Sequence, residues 1–451
     1  MIMEFTSFEQ IVNYMEHFTN LEKKTNLYSV RTYRLDRMQA LMQALGNPQN
    51  TYKTIHIAGS KGKGSTASYI ASGLKAAGYK VGLYMSPHVT DYRERFTLCG
   101  QFIQDELLIA TGNRLQHLLE GFRFCDQLGE NEPTTFELYT AFAFLLFHEL
   151  GCQWAVIETG LGGRLDATNI LLPQASVLTP IELEHTDILG STISKIATEK
   201  SKIIKPNVIA FTSSQQPDAL EIFRNEALAQ HSTLYEFDNE IKTLDTWFKA
   251  GTQQVKVSFI DGFETSYNLS MWGCVQAQNS ALALLVLRTL GLYRKGLTEK
   301  AFEENKLPGR LEKVDWLRPL YLDGAHTQNS LGHLLETFKE MYPNVVTTGV
   351  CIFGSVNGKN HDAMCDEVLN CFDKIIVCRP GTFKKSDPQA LYDMLNTKVM
   401  ACEKWKNKEI YLRCDAKDAL ILACELTKEN EPVLACGSFY LAGVIKEALE
   451  V

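Results

Sequence analysis

The chain has 451 residues, of which 45% are hydrophobic and 22% are charged, and its formal net charge is −8. Such a length holds two or three domains with sizeable cores, and an acidic chain without a long basic run is not expected to bind nucleic acid. No apolar stretch reaches transmembrane length and the N-terminal segment resembles no targeting peptide, so we expect no membrane association. The twelve cysteines contain no C-x-x-C pair, which indicates reduced thiols and a cytoplasmic protein.

Strand and helix patterns alternate along nearly the whole chain, which predicts α/β layers with parallel sheets. In the first part of the chain, the predicted strands are 54–57, 80–85, 154–159, 175–180 and 207–212, and the predicted helices are 66–77, 134–150, 191–204 and 275–290. A second series starts after the Leu-Pro-Gly-Arg segment at 307–310, with strands 319–322, 345–353, 374–378, 409–412 and 432–436 and helices 328–341, 362–372, 388–395, 416–426 and 440–449. We therefore predict a domain boundary near residue 306.

A glycine-rich turn follows the first apolar strand and precedes a helical pattern. Its residues are Gly59, Ser60, Lys61, Gly62, Lys63, Gly64, Ser65 and Thr66. Glycines let backbone amides approach phosphate oxygens, the helix N-terminus and Lys63 add positive charge, and Ser65 or Thr66 can offer a hydroxyl to Mg²⁺. The turn departs from the standard G-x-x-x-x-G-K-[ST] pattern, and a surface turn is the alternative. The strand–turn–helix context favours a nucleoside triphosphate site.

An acidic residue, Glu158, ends another apolar strand and precedes the segment 159–169, which contains three glycines, Gly160, Gly162 and Gly163. Ligands of parallel sheets gather at the carboxyl ends of the strands, so Glu158 is well placed to hold Mg²⁺. The alternative is a solvated glutamate at a strand end. Two later residues, His185 and Lys200, are by themselves ordinary and would not be selected on physical grounds.

With these features, the chain resembles the folylpolyglutamate synthase and dihydrofolate synthase family of the Mur ligase superfamily. The matching segments are 45–49, 59–65, 86–88, 93–95, 158–169, 185–187, 199–205, 278–279, 308–310, 323–326 and 437–441. The resemblance implies an α/β protein with an N-terminal P-loop ATP-binding domain with a parallel sheet, residues 1–305, and a C-terminal Rossmann-like α/β domain, residues 306–451.

The family activates a carboxylate with ATP to an acyl phosphate, which the amine of glutamate then attacks. The resemblance implies ATP and two Mg²⁺ ions as cofactors, with Ser86 and Glu158 on one ion, Ser65 nearby, and His185 and Lys200 on the second. An ammonium cannot ligate a metal, so Lys200 is expected to carry a carbamate formed with CO₂. A monovalent cation, K⁺, is a further expected component, and we expect a monomer.

The resemblance also assigns residues to the remaining parts of the reaction. Asn279, Arg310 and Asp323 are expected to contact ATP or the incoming glutamate, with His326 beside them, and a guanidinium at Arg310 can stabilise the transferring phosphoryl charge. The catalytic set is then Lys63, Glu158, His185, Lys200, Arg310 and His326. The expected folate-binding residues are Thr135, Phe136, Asp166 and Ala167.

Several positions depart from the bacterial family pattern. Ser60-Lys61 stands where Thr-Asn is usual, Glu184 precedes His185 in place of aspartate, and Thr327 follows His326. The loop lysine and Thr327 resemble dedicated folylpolyglutamate synthases of eukaryotic type, which we take as the first hypothesis. A bifunctional enzyme that also joins glutamate to dihydropteroate is the alternative. A cell-wall ligase of Mur type is disfavoured by the loop sequence and by the segment Ser86-Pro87-His88. A nucleotide-binding protein without catalysis is disfavoured by Glu158, His185 and Lys200.

Overall fold

The computed structural model describes residues 4–20, 29, 32–249 and 252–449, and these residues form three β-sheets with helices packed against them. The strands of the first two sheets are β1 (Lys53–Ala58), β2 (Val81–Tyr84), β3 (Phe96–Leu98), β4 (Gln101–Phe102), β5 (Trp154–Glu158), β6 (Ala175–Leu178), β7 (Ile209–Thr212), β8 (Leu234–Glu236), β9 (Ile241–Lys249), β10 (Thr252–Phe259) and β11 (Glu264–Leu269). The accompanying helices are α1 (Phe8–Glu16), α2 (Leu35–Ala44), α3 (Lys63–Ala76), α4 (Asp105–Leu119), α5 (Thr135–Glu149), α6 (Thr186–Leu189), α7 (Ile193–Ser201), α8 (Pro217–Ala229), α9 (Phe237–Glu240), α10 (Cys274–Thr289) and α11 (Leu297–Glu304).

The first sheet has eight strands in the order β4-β3-β2-β5-β1-β6-β7-β8. The six strands from β2 to β8 are parallel, and β3 and β4 add an antiparallel edge. Strand β1 lies near the centre and is buried except at Lys53. Its apolar and β-branched residues suit a parallel strand covered on both faces. The carboxyl ends of β1, β5 and β6 therefore meet at one edge of the sheet.

Helix α5 covers one face of this sheet and is itself surrounded by other elements. Nearly all of its residues are buried, including Phe142, Phe144 and Phe147, in a core shared with α1, α2 and α4. A capping box formed by Thr134 and Glu137 starts the helix. On the other face, α3 packs against α10 and the three-stranded antiparallel sheet β11-β10-β9.

The third sheet is formed by later residues and has its own core. Its strands are β12 (Glu312–Val314), β13 (Leu320–Leu322), β14 (Val350–Phe353), β15 (Lys374–Val377), β16 (Glu409–Leu412) and β17 (Val433–Cys436), in the order β12-β13-β17-β14-β15-β16. Its helices are α12 (Gln328–Met341), α13 (Val345–Thr348), α14 (His361–Leu369), α15 (Pro388–Ala401), α16 (Ala416–Leu426) and α17 (Phe439–Leu449). Among the described strands of this third sheet, only β12 runs antiparallel to its neighbour. We propose that the two domains meet between α11 and β12, where the predicted boundary near residue 306 lies.

The α/β class and the parallel sheets predicted from the sequence are confirmed. The predicted bounds of 328–341, 409–412 and 416–426 agree with α12, β16 and α16. The single strand predicted over 345–353 is wrong, because residues 345–348 form the helical turn α13, whose end is closed by the Gly349 amide on the Val345 carbonyl at 2.8 Å. The sequence analysis also missed the antiparallel sheet β9–β11. None of the helices in the described ranges is long and apolar enough to span a membrane.

Candidate active site

A cleft of about 560 Å³ lies where the carboxyl ends of β1, β5 and β6 face the loops of the third sheet. The glycine-rich turn forms one wall of this cleft, and residues 323–326, after β13, form the opposite wall. Ligand sites of open α/β sheets are found at this edge. The two domains therefore contribute to one common site.

The glycine-rich turn has the geometry of a phosphate-binding loop. Helix α3 starts at Lys63, three residues before the predicted start at Thr66, so the amides of its first turn face the cleft. Gly62 precedes the helix with a φ of +81°, and a Cβ there would lie 2.4 Å from Oδ1 of Asn279. A glycine at position 62 therefore satisfies both the left-handed backbone and the close approach of α10.

Other residues of the turn hold it in place. A Cβ at Gly59 would lie 1.8 Å from Oγ1 of Thr179, so β1 and β6 approach each other closely here. The Ser60 hydroxyl donates to the carbonyl of Glu182 at 3.0 Å. The buried Thr66 hydroxyl lies 3.4 Å from Oδ1 of Asn279. Among the predicted nucleotide-binding residues of the turn, Gly59 and Thr66 do not line the cleft, whereas residues 60–65 do.

Glu158 ends β5 beside this loop, and its side chain is only 4% exposed. Its Oε2 accepts a hydrogen bond from the Ser86 amide at 3.2 Å, and its Oε1 lies 3.8 Å from Nζ of Lys63. Burial raises the pKa of Glu158, and the nearby Lys63, Ser86 and Arg310 oppose that rise. A carboxylate and two serine hydroxyls, from Ser65 and Ser86, form a donor set of the kind that Mg²⁺ takes beside a nucleotide.

Lys200 lies behind the loop, outside the lining of the cleft. Its Nζ donates to the carbonyl of Gly59 at 2.7 Å, and its side chain is buried. Burial, reinforced by the charge of Lys63, lowers the pKa of Lys200 to about 7. In this form the amine anchors the loop and is not a metal ligand. Within the described residues, no group of three or more histidine, cysteine, aspartate or glutamate side chains is arranged to hold a metal ion.

His185 follows β6 at the start of α6, in a left-handed conformation with a φ of 52°. It lines the cleft. Although its side chain reaches solvent there, loss of hydration within the cleft lowers the pKa of its imidazole. The charge of Glu184 opposes this shift, and the lysines at 200 and 359 add to it. The neutral imidazole is the form that binds metals.

A three-way contact joins the two domains inside the cleft. Nζ of Lys61 lies 3.1 Å from Oε1 of Glu184, and Nε2 of His326 lies 3.3 Å from the same oxygen. Burial raises the pKa of Glu184, but the bond with His326 and the charge of Lys61 outweigh it and hold this pKa well below its usual range. The sequence analysis noted the glutamate at 184 as a departure and did not find its two partners.

The C-terminal domain contributes Arg310, Asp323 and His326 to the cleft. The guanidinium carbon of Arg310 lies 4.3 Å from the ring centroid of Phe439. The two oxygens of Asp323 accept from the amides of Leu311 and Ala325, each at 2.7 Å, which holds the turn that carries His326. Burial lowers the pKa of His326 to about 4, and its Nδ1 lies 2.7 Å from the carbonyl of Gly324.

The cleft continues towards Phe136, Asp166 and Ala167, which line it as predicted. The Phe136 ring packs against Gly160, where a Cβ would lie 2.2 Å from the ring. Thr135 has another role, since it does not line the cleft and its hydroxyl donates to the carbonyls of Met15 and Phe18 at 3.0 and 3.2 Å. The cleft therefore has a charged part at the loop and an aromatic wall further along.

A buried ion pair that the sequence analysis missed supports this aromatic wall. Arg37 of α2 is fully buried, and its Nε donates to Oε1 of Glu137 at 3.0 Å. Its guanidinium also donates to the carbonyls of Leu128, Glu130 and Glu132. The capping box at 134–137 was the available sequence signal, but a partner 100 residues away leaves no local pattern.

Two arginines that the resemblance had included have structural partners. Arg93 pairs with Asp91 and Asp105, and the buried Arg95 donates to Nδ1 of His88 at 3.0 Å. Two lysines that sequence reasoning did not select, Lys359 and Lys384, line the cleft from the C-terminal domain.

Comparisons with known proteins agree with this architecture. The Mur ligase middle domain matches residues 57–287, and the Mur ligase glutamate ligase domain matches residues 309–439. A dihydrofolate synthase/folylpolyglutamate synthase of Bacillus subtilis is 32% identical over 434 residues, which cover 92% of this chain and 95% of that protein. A folylpolyglutamate synthase of Lacticaseibacillus casei is 30% identical over 448 residues, covering 97% of this chain and 99% of that protein.

A solved structure of Mycobacterium tuberculosis folylpolyglutamate synthase complexed with ADP and AMPPCP superimposes with a TM-score of 0.83. It is 26% identical and covers 98% of this chain and 97% of that chain. A phosphate-binding loop that faces a second α/β domain across one cleft is thus the arrangement of a Mur ligase. Within that class, the chain belongs to the folylpolyglutamate synthase and dihydrofolate synthase family.

Proposed function

We propose that the protein is an ATP-dependent ligase that joins L-glutamate to the γ-carboxylate of a reduced folate. One observation carries this proposal: the phosphate-binding loop, the buried Glu158 and the aromatic wall at Phe136 line a single cleft that Arg310 closes from the other domain. The names of the relatives, folylpolyglutamate synthase and dihydrofolate synthase, support the same chemistry. The analogue-bound relative supports ATP as the nucleotide.

In this reaction, a folate carboxylate oxygen attacks the γ-phosphorus of ATP, and ADP leaves. The first-turn amides of α3 and the ammonium of Lys63 hold the phosphate oxygens. Arg310 faces the same space from the C-terminal domain, where its guanidinium stabilises the charge of the transferring phosphoryl group. The product of this step is an acyl phosphate, which the amine of glutamate attacks to give an amide and inorganic phosphate.

The corner formed by His326, Glu184 and Lys61 is suited to receive the glutamate amine. The lowered pKa of His326 keeps its ring neutral near pH 7. The ionised Glu184 carboxylate can only accept, so its contact with His326 is donated by Nε2–H, and Lys61 lies against the same carboxylate oxygen. Glu184 adds a negative charge that attracts an ammonium, so this corner holds the amine near the acyl phosphate.

The residues present fit one Mg²⁺ ion on the nucleotide side. Ser65, Ser86 and Glu158 would hold it, and the bound ion would offset the charge of the triphosphate. The second ion is assigned to His185 and Lys200. Lys200 becomes an anionic ligand only if its amine adds CO₂ with loss of a proton. The lowered pKa of Lys200 supports this reaction, since only the neutral amine adds CO₂.

The carbamate is testable without activity. In ¹³C-bicarbonate the wild-type protein should show a carbamate resonance that is missing in Lys200→Met and present in Lys202→Met, a control two residues away on the surface side of the helix. No such resonance in the wild type would remove the carbamate from the proposal. The monomeric state and a need for K⁺ also belong to the proposal, and light scattering and K⁺ replacement by Na⁺ test them.

A bifunctional enzyme is the second candidate, because the Bacillus subtilis relative carries both names. The discriminating experiment measures glutamate incorporation with ATP and Mg²⁺ on tetrahydrofolate and on dihydropteroate. Incorporation on tetrahydrofolate alone supports a dedicated folylpolyglutamate synthase, and incorporation on both supports the bifunctional enzyme. Incorporation on neither acceptor would overturn the proposed function.

A further inference from the structure

A histidine that the proposed chemistry does not use lies directly behind the cleft. His56 is on β1, fully buried, with Ile157 of β5 and Ser176 of β6 at the same register on either side. Its Nε2 lies 2.7 Å from Oγ1 of Thr168. Its Nδ1 has no hydrogen-bond partner among the described residues. Buried polar groups are normally hydrogen-bonded, so a buried imidazole with one unpartnered nitrogen requires a structural explanation.

The direction of the hydrogen bonds around Thr168 follows from the chemistry of its partners. Burial raises the pKa of Asp166, but its two oxygens accept from the amides of Leu161 and Thr168, and these bonds favour the carboxylate. The Thr168 hydroxyl lies 2.5 Å from Oδ1 of Asp166, and a carboxylate can only accept. The hydroxyl proton therefore goes to Asp166, and the hydroxyl oxygen accepts from His56. This arrangement requires the neutral tautomer of His56 that carries its proton on Nε2, and burial lowers the pKa of His56 to about 3, which keeps the ring neutral.

Asp166 connects Thr168 to the loop that lines the cleft. Its Oδ1 also accepts from the Thr168 amide at 3.0 Å, and its Oδ2 accepts from the Leu161 amide at 2.8 Å. The Leu161 amide is next to Gly160, which packs against the ring of Phe136. The chain of bonds thus runs from the central strand to the loop that lines the aromatic part of the cleft.

We propose that His56 is a positioning residue for the folate side of the reaction: through Thr168 and Asp166 it fixes the loop 160–168 that lines the acceptor pocket. The inference rests on the proposed function for the identity of the acceptor. It predicts an effect on folate that is separate from the nucleotide, because the hydrogen-bonded chain runs to 160–168 and has no member in the phosphate-binding loop.

The test compares three variants. His56→Phe keeps the ring and removes the donor, Thr168→Val removes the hydroxyl, and His56→Gln places an amide donor close to the position of Nε2. We expect His56→Phe and Thr168→Val to raise the KM for tetrahydrofolate about 5- to 100-fold, the range for a buried group that loses its partner. The KM for ATP should change less than about threefold, and His56→Gln should recover most of the folate KM.

A matched control is available at the same register. Ser176 on the neighbouring strand is buried and donates to the carbonyl of Ile203, away from the loop 160–168. Ser176→Ala should lower stability without a change in folate KM. An equal rise in the ATP and folate KM values in the His56 and Thr168 variants, or a folate KM unchanged in both, would overturn the proposal.

An NMR measurement distinguishes a failure of this inference from a failure of the proposed function. In ¹⁵N-labelled protein, the His56 ring should show the Nε2–H tautomer, and the amide resonances of Gly160 and Leu161 should shift in Thr168→Val. Wild-type protein that ligates glutamate to no folate would overturn the proposed function. Unshifted amides at 160 and 161, or the other tautomer, would overturn the positioning role whatever the acceptor is.

Discussion

Lys200 is the residue whose replacement tests the site most directly. Its buried amine is held by the carbonyl of Gly59, and its pKa is lowered to about 7. An amine with that pKa is about one-tenth neutral at pH 6 and about nine-tenths neutral at pH 8. The neutral form is gained as pH rises through 7, so the wild-type kcat should rise across this interval if a neutral amine is required.

The change is Lys200→Met, which keeps the apolar stem and removes the amine. Gly59 does not line the cleft, so the lost bond acts on ATP only through the loop. A hydrogen bond from a charged group contributes about 1.5–3 kcal/mol. The effect of its loss on ATP is indirect, so the ATP affinity should fall by an amount at the lower end of this range, about tenfold. Ligation should instead fall by about 100-fold or more, because the proposed second metal position would be lost.

The assay pairs calorimetry of AMPPCP binding with glutamate incorporation between pH 6 and 8. Lys202→Met is the matched control, since Lys202 directly follows α7 and forms an ion pair with Glu226 of α8. It should leave both measurements nearly unchanged. Full turnover in Lys200→Met, or a wild-type kcat that does not change across this pH interval, would refute the reasoning.

Three further predictions concern other parts of the domain. Lys63→Ala should weaken AMPPCP binding by about 10- to 150-fold in calorimetry, because the ammonium at the first helical residue is lost. Glu137→Gln should lower the free energy of unfolding by about 3–5 kcal/mol in urea denaturation, because it leaves the buried guanidinium of Arg37 without its counter-charge. His56 has an ordinary pKa of 6.5 when unfolded and about 3 when folded, so the unfolded chain binds more protons between these values and stability is lost as pH falls below 6.5. At pH 5 the loss is about 2 kcal/mol relative to pH 7, measurable by urea denaturation of wild type against His56→Gln.

Each of these predictions has a control on the same element or of the same type. Lys75→Ala, at the exposed end of α3, should leave AMPPCP affinity unchanged. Glu149→Gln, on α5 but paired with the half-exposed Arg114, should cost about 1 kcal/mol or less. His117→Asn, at an exposed site, should not alter the loss of stability at low pH. Equal effects in variant and control would contradict the corresponding prediction.

The parts of the fold that the sequence predicted are those with a local signal. The phosphate-binding loop is one continuous segment, and the strands that flank it are short apolar runs with helices between them. Strand β10 was missed although it carries a local alternation, with Val255 and Val257 buried between half-exposed residues. The rest of the chain alternates strands and helices, and the antiparallel sheet β9–β11 interrupts this alternation. The residue alternation within β10 does not indicate which strands β10 pairs with.

The missed parts of the site depend on pairs that are distant in the chain. Glu184 is 123 residues from Lys61 and 142 residues from His326, and although each was noted in its own segment, nothing in those segments indicates that the three meet. Arg37 and Glu137 differ by 100 residues. Such contacts depend on how two sheets and two domains are placed, and no single-segment pattern records that placement.

The contact among Lys61, Glu184 and His326 also constrains how the reaction can be ordered. It joins the phosphate-binding loop to the C-terminal domain through side chains that are at most 23% exposed. A γ-phosphate that enters the loop competes with Glu184 for the ammonium of Lys61. An incoming glutamate amine competes with Lys61 for the same carboxylate. We therefore expect nucleotide binding to free Glu184 for the amine, which favours ATP before glutamate in the order of addition.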